Sequence, residues 1–149
     1  ILTEEDAKFD YICSAVGTGG TISGLINAST KHQKIIGFPA LKGNFLSEEI
    51  RKYVSRKKNW SLKKTYHFGG YAKFDEKLIA FINSFTEQTG VLLDPIYTGK
   101  MVYGIVDLIE KGEFSEGTKI LAIHTGGIQG IAGVNQLLEN KKQQIIKVL

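Results

Sequence analysis

Apolar positions along this chain switch between two spacings. Residues 10–16 form a short apolar run ended by Gly17, which predicts a strand buried on both faces. Ile22, Leu25 and Ile26 then recur at helical spacing within residues 20–30, so the order is strand, glycine turn, helix. Residues 34–38 read as a second strand before Pro39. Residues 46–57 read as a helix with Glu48, Glu49, Arg51, Lys52 and Arg56 on its exposed face. A loop at 58–64 leads to a brief strand near 65–68. Leu78, Ile79, Ile82 and Phe85 then mark a helix over 74–89 that Gly90 closes. Asp94-Pro95 prevents a helix through 91–95, and residues 94–99 form a loop. Met101, Val102, Ile105, Leu108 and Ile109 predict an amphipathic helix over 100–110. A last buried strand over 119–124, a turn at Thr125-Gly126-Gly127 and a helix to about Glu139 complete the chain. Such alternation predicts an α/β fold, a three-layer α/β/α arrangement on a mainly parallel sheet, with ligands gathered at the carboxyl ends of the strands.

Composition changes this picture little. The 149 residues are 42% hydrophobic and 23% charged, a globular mixture that fits one domain. A net charge of +4, with lysines scattered on polar faces, does not signal a nucleic-acid partner. Arg51, Lys52, Arg56, Lys57 and Lys58, with Tyr53 and Trp60, could be read as such a surface. Glu48 and Glu49 alternate with them, however, and a solvated helix face explains the pattern. The single Cys13 has no disulfide partner and sits in an apolar run, which points to a packed thiol and a cytoplasmic setting. No window approaches the roughly 20 apolar residues that a membrane span requires. The chain opens at Ile1 and runs straight towards its first strand, so it is expected to be a piece of something longer.

Chemistry concentrates in three turns. Gly17-Thr18-Gly19-Gly20-Thr21 lies between a strand and a helix. Its glycines allow close backbone approach, and the helix start adds N–H donors and the positive dipole end, a suitable cradle for an anion. It is not a Walker loop, because no lysine follows Gly20. Nor is it the dinucleotide fingerprint, because Ile22 stands where a last glycine is needed. A tight structural turn that binds nothing is the competing reading. The second turn is Asp94-Pro95-Ile96-Tyr97-Thr98-Gly99-Lys100, and the third is His124-Thr125-Gly126-Gly127. On one parallel sheet, three such turns converge on one crevice.

In this order the three motifs resemble the large-domain half of the D-cysteine desulfhydrase and 1-aminocyclopropane-1-carboxylate deaminase family. That family belongs to the tryptophan-synthase-β-like superfamily of pyridoxal-phosphate enzymes. The resemblance runs from about Phe9 to about Gly133. It implies one domain of a two-domain fold type II enzyme, with pyridoxal phosphate as cofactor, a small amino acid as substrate and a homodimeric assembly. Gly17, Thr18, Gly19, Gly20 and Thr21 would hold the cofactor phosphate, and Thr125 would face the pyridine nitrogen. Tyr97 and Tyr71 would be the active-site tyrosines; no metal ligands are assigned. The bland readings are a Tyr97 that covers the core edge, a Tyr71 that is a loop residue, and a His124 that packs at a strand end. Ring-opening deaminases that resemble this chain carry a glutamate where it has Thr98 and a leucine where it has Thr125. That departure favours desulfhydrase-like β-elimination to pyruvate and ammonia over ring opening. The Schiff-base lysine of the superfamily belongs to the part before the glycine turn, and no lysine here matches it. Lys100 belongs to the second motif but begins a helix. The fragment alone is expected to be inactive, and a non-catalytic phosphate-binding domain is the alternative from another class.

Overall fold

The computed structural model describes residues 1–55 and 58–149. After a short 3-10 turn at Glu4–Lys8 come β1 (Tyr11–Val16), α1 (Gly20–Ala28), β2 (Lys34–Pro39), α2 (Leu46–Arg51) and β3 (Trp60–Leu62). They are followed by α3 (Glu76–Thr89), α4 (Thr98–Glu110), β4 (Ile120–Ile123) and α5 (Ile131–Asn140). The strands form one sheet in the order β3-β2-β1-β4, and every pair is parallel.

Side-chain alternation along β1 sorts the core. Ile12 and Val16 face α1 and α2, packing with Ile22, Leu25, Ile26, Leu46 and Ile50. Cys13 and Ala15 point the other way, onto Met101, Ile105 and Leu108 of α4. A further apolar cluster joins α3 to α5 through Leu78, Ile79, Ile82, Ile131, Val134 and Leu138, with Val102 and Tyr103 of α4 packed against it. Helices thus cover both faces of the parallel sheet, as the alternating pattern predicts. Burial pushes the Cys13 thiol up to about 12, so it stays protonated and packs as a small apolar group. None of the described helices is long and apolar enough to cross a membrane.

Several elements differ from the sequence pattern. The third strand is Trp60–Leu62, inside the segment expected to be a loop, while residues 65–68 are turns and bends. Its cause is pairing with β2: Ile35 N–H donates to Asn59 O at 2.8 Å and Lys63 N–H to Gly37 O at 2.8 Å. Trp60 and Leu62 face the core and Ser61 faces solvent, an alternation that three residues among lysines do not advertise. Helix α2 stops at Arg51, just past Ile50, its last buried apolar residue, instead of reaching 57. Arg56 and Lys57 of the basic patch lie outside the described residues; Lys52 pairs with Glu49 at 2.5 Å. Strand β4 is only half-buried because it is the sheet edge. A 3-10 turn at Ile128–Gly130 precedes α5.

The topology sets the location of the crevice. From β1 the chain crosses through α1 to β2 on one side, whereas β4 enters on the other side of β1. The carboxyl ends of β1 and β4 therefore form a topological switch point, where loops diverge and leave a cleft.

Helix α4 reaches the sheet through Gly104. A Cβ there would stand 2.5 Å from Phe38 Cε1, 2.7 Å from Phe38 Cδ1 and 3.0 Å from Tyr66 Cγ. Alanine improves helix propensity by about 1 kcal/mol, but overpacking against the buried Phe38 ring costs roughly 1–3 kcal/mol. We expect Gly104→Ala to lower the stability of the full-length protein by about 1 kcal/mol in denaturant unfolding, the overpacking outweighing the propensity gain.

Candidate active site

All eight candidate residues line one crevice of about 620 Å³. Gly17, Thr18, Gly19, Gly20 and Thr21 come from the end of β1 and the start of α1. Tyr71 and Tyr97 come from two loops, and Thr125 from the turn after β4. The volume is within the usual range of small-molecule sites, roughly 300–1,000 Å³.

The glycine turn has the features of an anion cradle. Gly19 adopts φ +97°, a left-handed conformation that disfavours other residues, and it is the N-cap of α1. No side chain caps that helix end and no acidic residue occupies its first turn, so the leading N–H groups remain open to a ligand. A Cβ on Gly20 would meet nothing within 4 Å, and Thr18 and Thr21 are exposed at the crevice. Within the helix, Ser23 Oγ donates to Gly19 O at 2.7 Å and braces the turn.

Asp94 builds the opposite wall. Its buried carboxylate accepts from Ile96 N–H (2.8 Å), Tyr97 N–H (2.7 Å), Thr98 N–H (2.9 Å) and Thr98 Oγ1 (2.6 Å). These bonds satisfy the amides of the turn that leads into α4 and of its first residue, and they place a negative charge at its positive end. They also fix Tyr97, whose ring lies 3.3 Å from where a Cβ on Gly17 would be. Gly127 passes the same carboxylate, 3.0 Å from its Oδ2 to the position of an added Cβ. The third turn therefore packs close against the carboxylate that the second turn's amides bind.

The two tyrosines meet edge to face, with ring centroids 6.1 Å apart. Burial, and then a hydrogen bond with Tyr71, raise the Tyr97 phenol above its ordinary range, so it stays protonated at neutral pH. His124 is occupied in bracing the turn: its Nδ1 accepts from Gly126 N–H at 3.1 Å, which leaves Nε2 to donate to Leu92 O at 2.9 Å. His124 stands at the strand end as the sequence suggests, but it is exposed and held by these two bonds. Four further participants escaped the sequence reading. Leu41 and Gln129 also line the crevice. Asp94 organises it. Lys100, expected only to begin a helix, is 1% exposed and donates from Nζ to Gly70 O at 2.9 Å. Burial draws its ammonium down to about 8, against the opposing pull of the Asp94 charge. For Asp94, an aspartate three residues before Tyr97 at a helix start is the signal that was there to be used.

The fold and crevice define a parallel α/β domain with an anion cradle at its switch point. Residues 1–126 match the model of the family described as "Pyridoxal-phosphate dependent enzyme". The chain therefore belongs to the pyridoxal-phosphate dependent enzymes, in the family of 1-aminocyclopropane-1-carboxylate deaminases and D-cysteine desulfhydrases. It is 36% identical over 142 residues to a Pyrococcus horikoshii protein named "Putative 1-aminocyclopropane-1-carboxylate deaminase", an overlap of 87% of this chain and 43% of that protein. It is 31% identical over 138 residues to the mitochondrial bifunctional D-cysteine desulfhydrase/1-aminocyclopropane-1-carboxylate deaminase of Arabidopsis thaliana, covering 85% of this chain and 34% of that one. A crystal structure described as that of an ACC deaminase homologue superposes with a TM-score of 0.75 at 34% identity, covering 92% of this chain and 46% of the other. The chain thus spans less than half the length of these relatives.

Removing the Asp94 carboxylate strands the amides of Ile96, Tyr97 and Thr98 where the chain enters α4. Asp94→Ala is expected to destabilise the full-length protein by about 2–3 kcal/mol in thermal or denaturant unfolding, and Asp94→Asn by less, because its amide oxygen still accepts.

Proposed function

We propose that the intact protein is a pyridoxal-phosphate-dependent lyase that carries out D-cysteine desulfhydrase-like β-elimination on a small amino acid, releasing the β-substituent (hydrogen sulfide from D-cysteine) and, after hydrolysis, pyruvate and ammonia. Family membership and the crevice support this reading. The residues suit the cofactor: the open amides of Gly17, Thr18, Gly19, Gly20 and Thr21 would hold its phosphate, and Thr125 would face its pyridine nitrogen. When bound, pyridoxal phosphate supplies the electron sink for the electron pair left when the α-proton departs to a base.

The observation that carries the choice of reaction is the direction of Thr98. Its side chain is fully buried, and Oγ1 both accepts from Asp94 N–H at 3.1 Å and donates to Asp94 Oδ2. The position after the loop tyrosine thus offers nothing to the crevice, and no carboxylate is among the described lining residues. Thr125 brings a neutral hydroxyl, which can hydrogen-bond the ring nitrogen but adds no charge to keep it protonated. Tyr97, held as a phenol, can donate its O–H to a substrate oxygen or sulfur and is a poor base. No amine is among the described lining residues either, so we assign the base to a lysine in the part of the protein outside this chain.

Ring opening of 1-aminocyclopropane-1-carboxylate is the second reading, favoured by the names of the relatives. Full-length protein should release pyruvate from D-cysteine faster than 2-oxobutyrate from the cyclopropane amino acid. Formation of 2-oxobutyrate alone overturns the preference, and cofactor binding with neither product points to a non-catalytic phosphate-binding domain. Thr21→Asp provides a second check at the cradle. An acidic residue in the first helical turn suits the fold, so the melting temperature should hold or rise, while repulsion of the phosphate should weaken cofactor binding about tenfold or more.

A further inference from the structure

Lys100 stands in an unfavourable place for a cation. It is 1% exposed, so its ammonium has lost nearly all contact with water. It also occupies the third residue of α4, where the helix dipole opposes positive charge. An apolar side chain of similar length would fill the same volume without either penalty. Against these stand the pull of the Asp94 carboxylate and a long-range bond, from Nζ to Gly70 O at 2.9 Å, across 30 residues of sequence.

The segment that receives this bond is otherwise braced mainly from within, by Gly69 N–H to His67 Nδ1 at 2.9 Å, Gly70 N–H to His67 O at 3.1 Å and Lys73 N–H to Gly70 O at 3.1 Å, with the Phe68 ring on Tyr103. Phe68, Gly69, Gly70 and Ala72 have φ of 53°, 99°, 120° and 54°, a run of left-handed backbone that includes two non-glycine residues. Tyr71 stands in the middle of it and leans edge to face on Tyr97. Tyr97 lies three residues before Lys100 on the same motif and closes over Gly17. The lysine therefore joins the loop of one crevice tyrosine to the helix start that carries the other.

We propose that Lys100 is a positioning residue: its buried ammonium, bonded to the Gly70 carbonyl, holds Tyr71 against Tyr97 and so sets the wall of the crevice on which substrate rests. The inference rests on the lyase reading above for its effect on turnover, but not for its effect on the loop. Lys100 is not among the residues that line the crevice, so its removal should leave the phosphate cradle intact.

The test uses full-length protein loaded with pyridoxal phosphate, comparing wild type with Lys100→Met, which keeps the volume, and Lys100→Gln, which keeps a shorter donor. In Lys100→Met, amide hydrogen exchange over residues 67–73 should rise about tenfold or more while exchange over 11–16 stays unchanged. Cofactor affinity should remain within about twofold, and kcat for the preferred amino acid should fall about tenfold through loss of orientation. Lys100→Gln should fall between the two in both exchange and kcat. Unchanged exchange in 67–73, or faster exchange with full kcat, overturns the proposal. If Lys100→Met does not fold, Lys100→Gln carries the test alone, and wild-type exchange there overturns it equally. Failure of the wild-type protein to bind pyridoxal phosphate sinks the lyase reading instead, and the exchange comparison still decides whether Lys100 holds the loop.

Discussion

The buried carboxylate of Asp94 is the constraint on which the crevice depends. A charged group that is 2% exposed persists only when its hydrogen-bonding capacity is met, and here three amides and one hydroxyl meet it. Those donors lead into α4, the Ile96 and Tyr97 amides from the turn before it and Thr98 from its first residue, so satisfying the charge fixes where the helix begins. The position of Tyr97 follows, as does the inward turn of Thr98. Gly127 completes the arrangement, because only a residue without a side chain comfortably passes so near the carboxylate. Gly99 obeys the same logic on the other side: a Cβ there would stand 2.5 Å from Asp94 O and 2.7 Å from Ile82 Cδ1.

This local knot acts on a cleft that the topology has already made. With β2 and β4 on opposite sides of β1, the turns after β1 and β4 separate at the sheet end, and the glycine cradle is left open between them. The division of labour is clear. Rigid strands place the glycine turn, whereas the Asp94 and Lys100 contacts hold the segments that carry the two crevice tyrosines. The cradle suits any phosphate-bearing cofactor of the right size. The wall opposite, with a neutral Thr125 and a protonated Tyr97, gives this chain its particular chemical character.

Much of this was legible in the amino-acid sequence where local pattern and tertiary role coincide. The apolar run before Gly17 and the helical spacing after Gly20 mark β1, the turn and α1 without any knowledge of neighbours. The first and third turns could be expected to meet, because a parallel sheet sends its carboxyl ends to one edge, whereas the second joins α3 to α4 and reaches the crevice through tertiary packing. The third strand was hidden, since Trp60–Leu62 is short, lies among lysines and exists through its pairing with β2. The end of α2 depended on where burial stops at Ile50. Lys100 was opaque for a different reason: a lysine is exposed by default, and its partner is a carbonyl 30 residues away whose approach only the folded chain reveals. Thr98 reads as a change of residue type, but its inward direction is a consequence of Asp94.

The most direct test is a high-resolution structure of the full-length protein with pyridoxal phosphate bound. The phosphate oxygens should accept N–H bonds from the turn of residues 17–21, with the ring nitrogen beside Thr125 and the Tyr97 ring alongside. A phosphate seated away from that turn, or a cofactor ring on the far side of the sheet, would contradict the account.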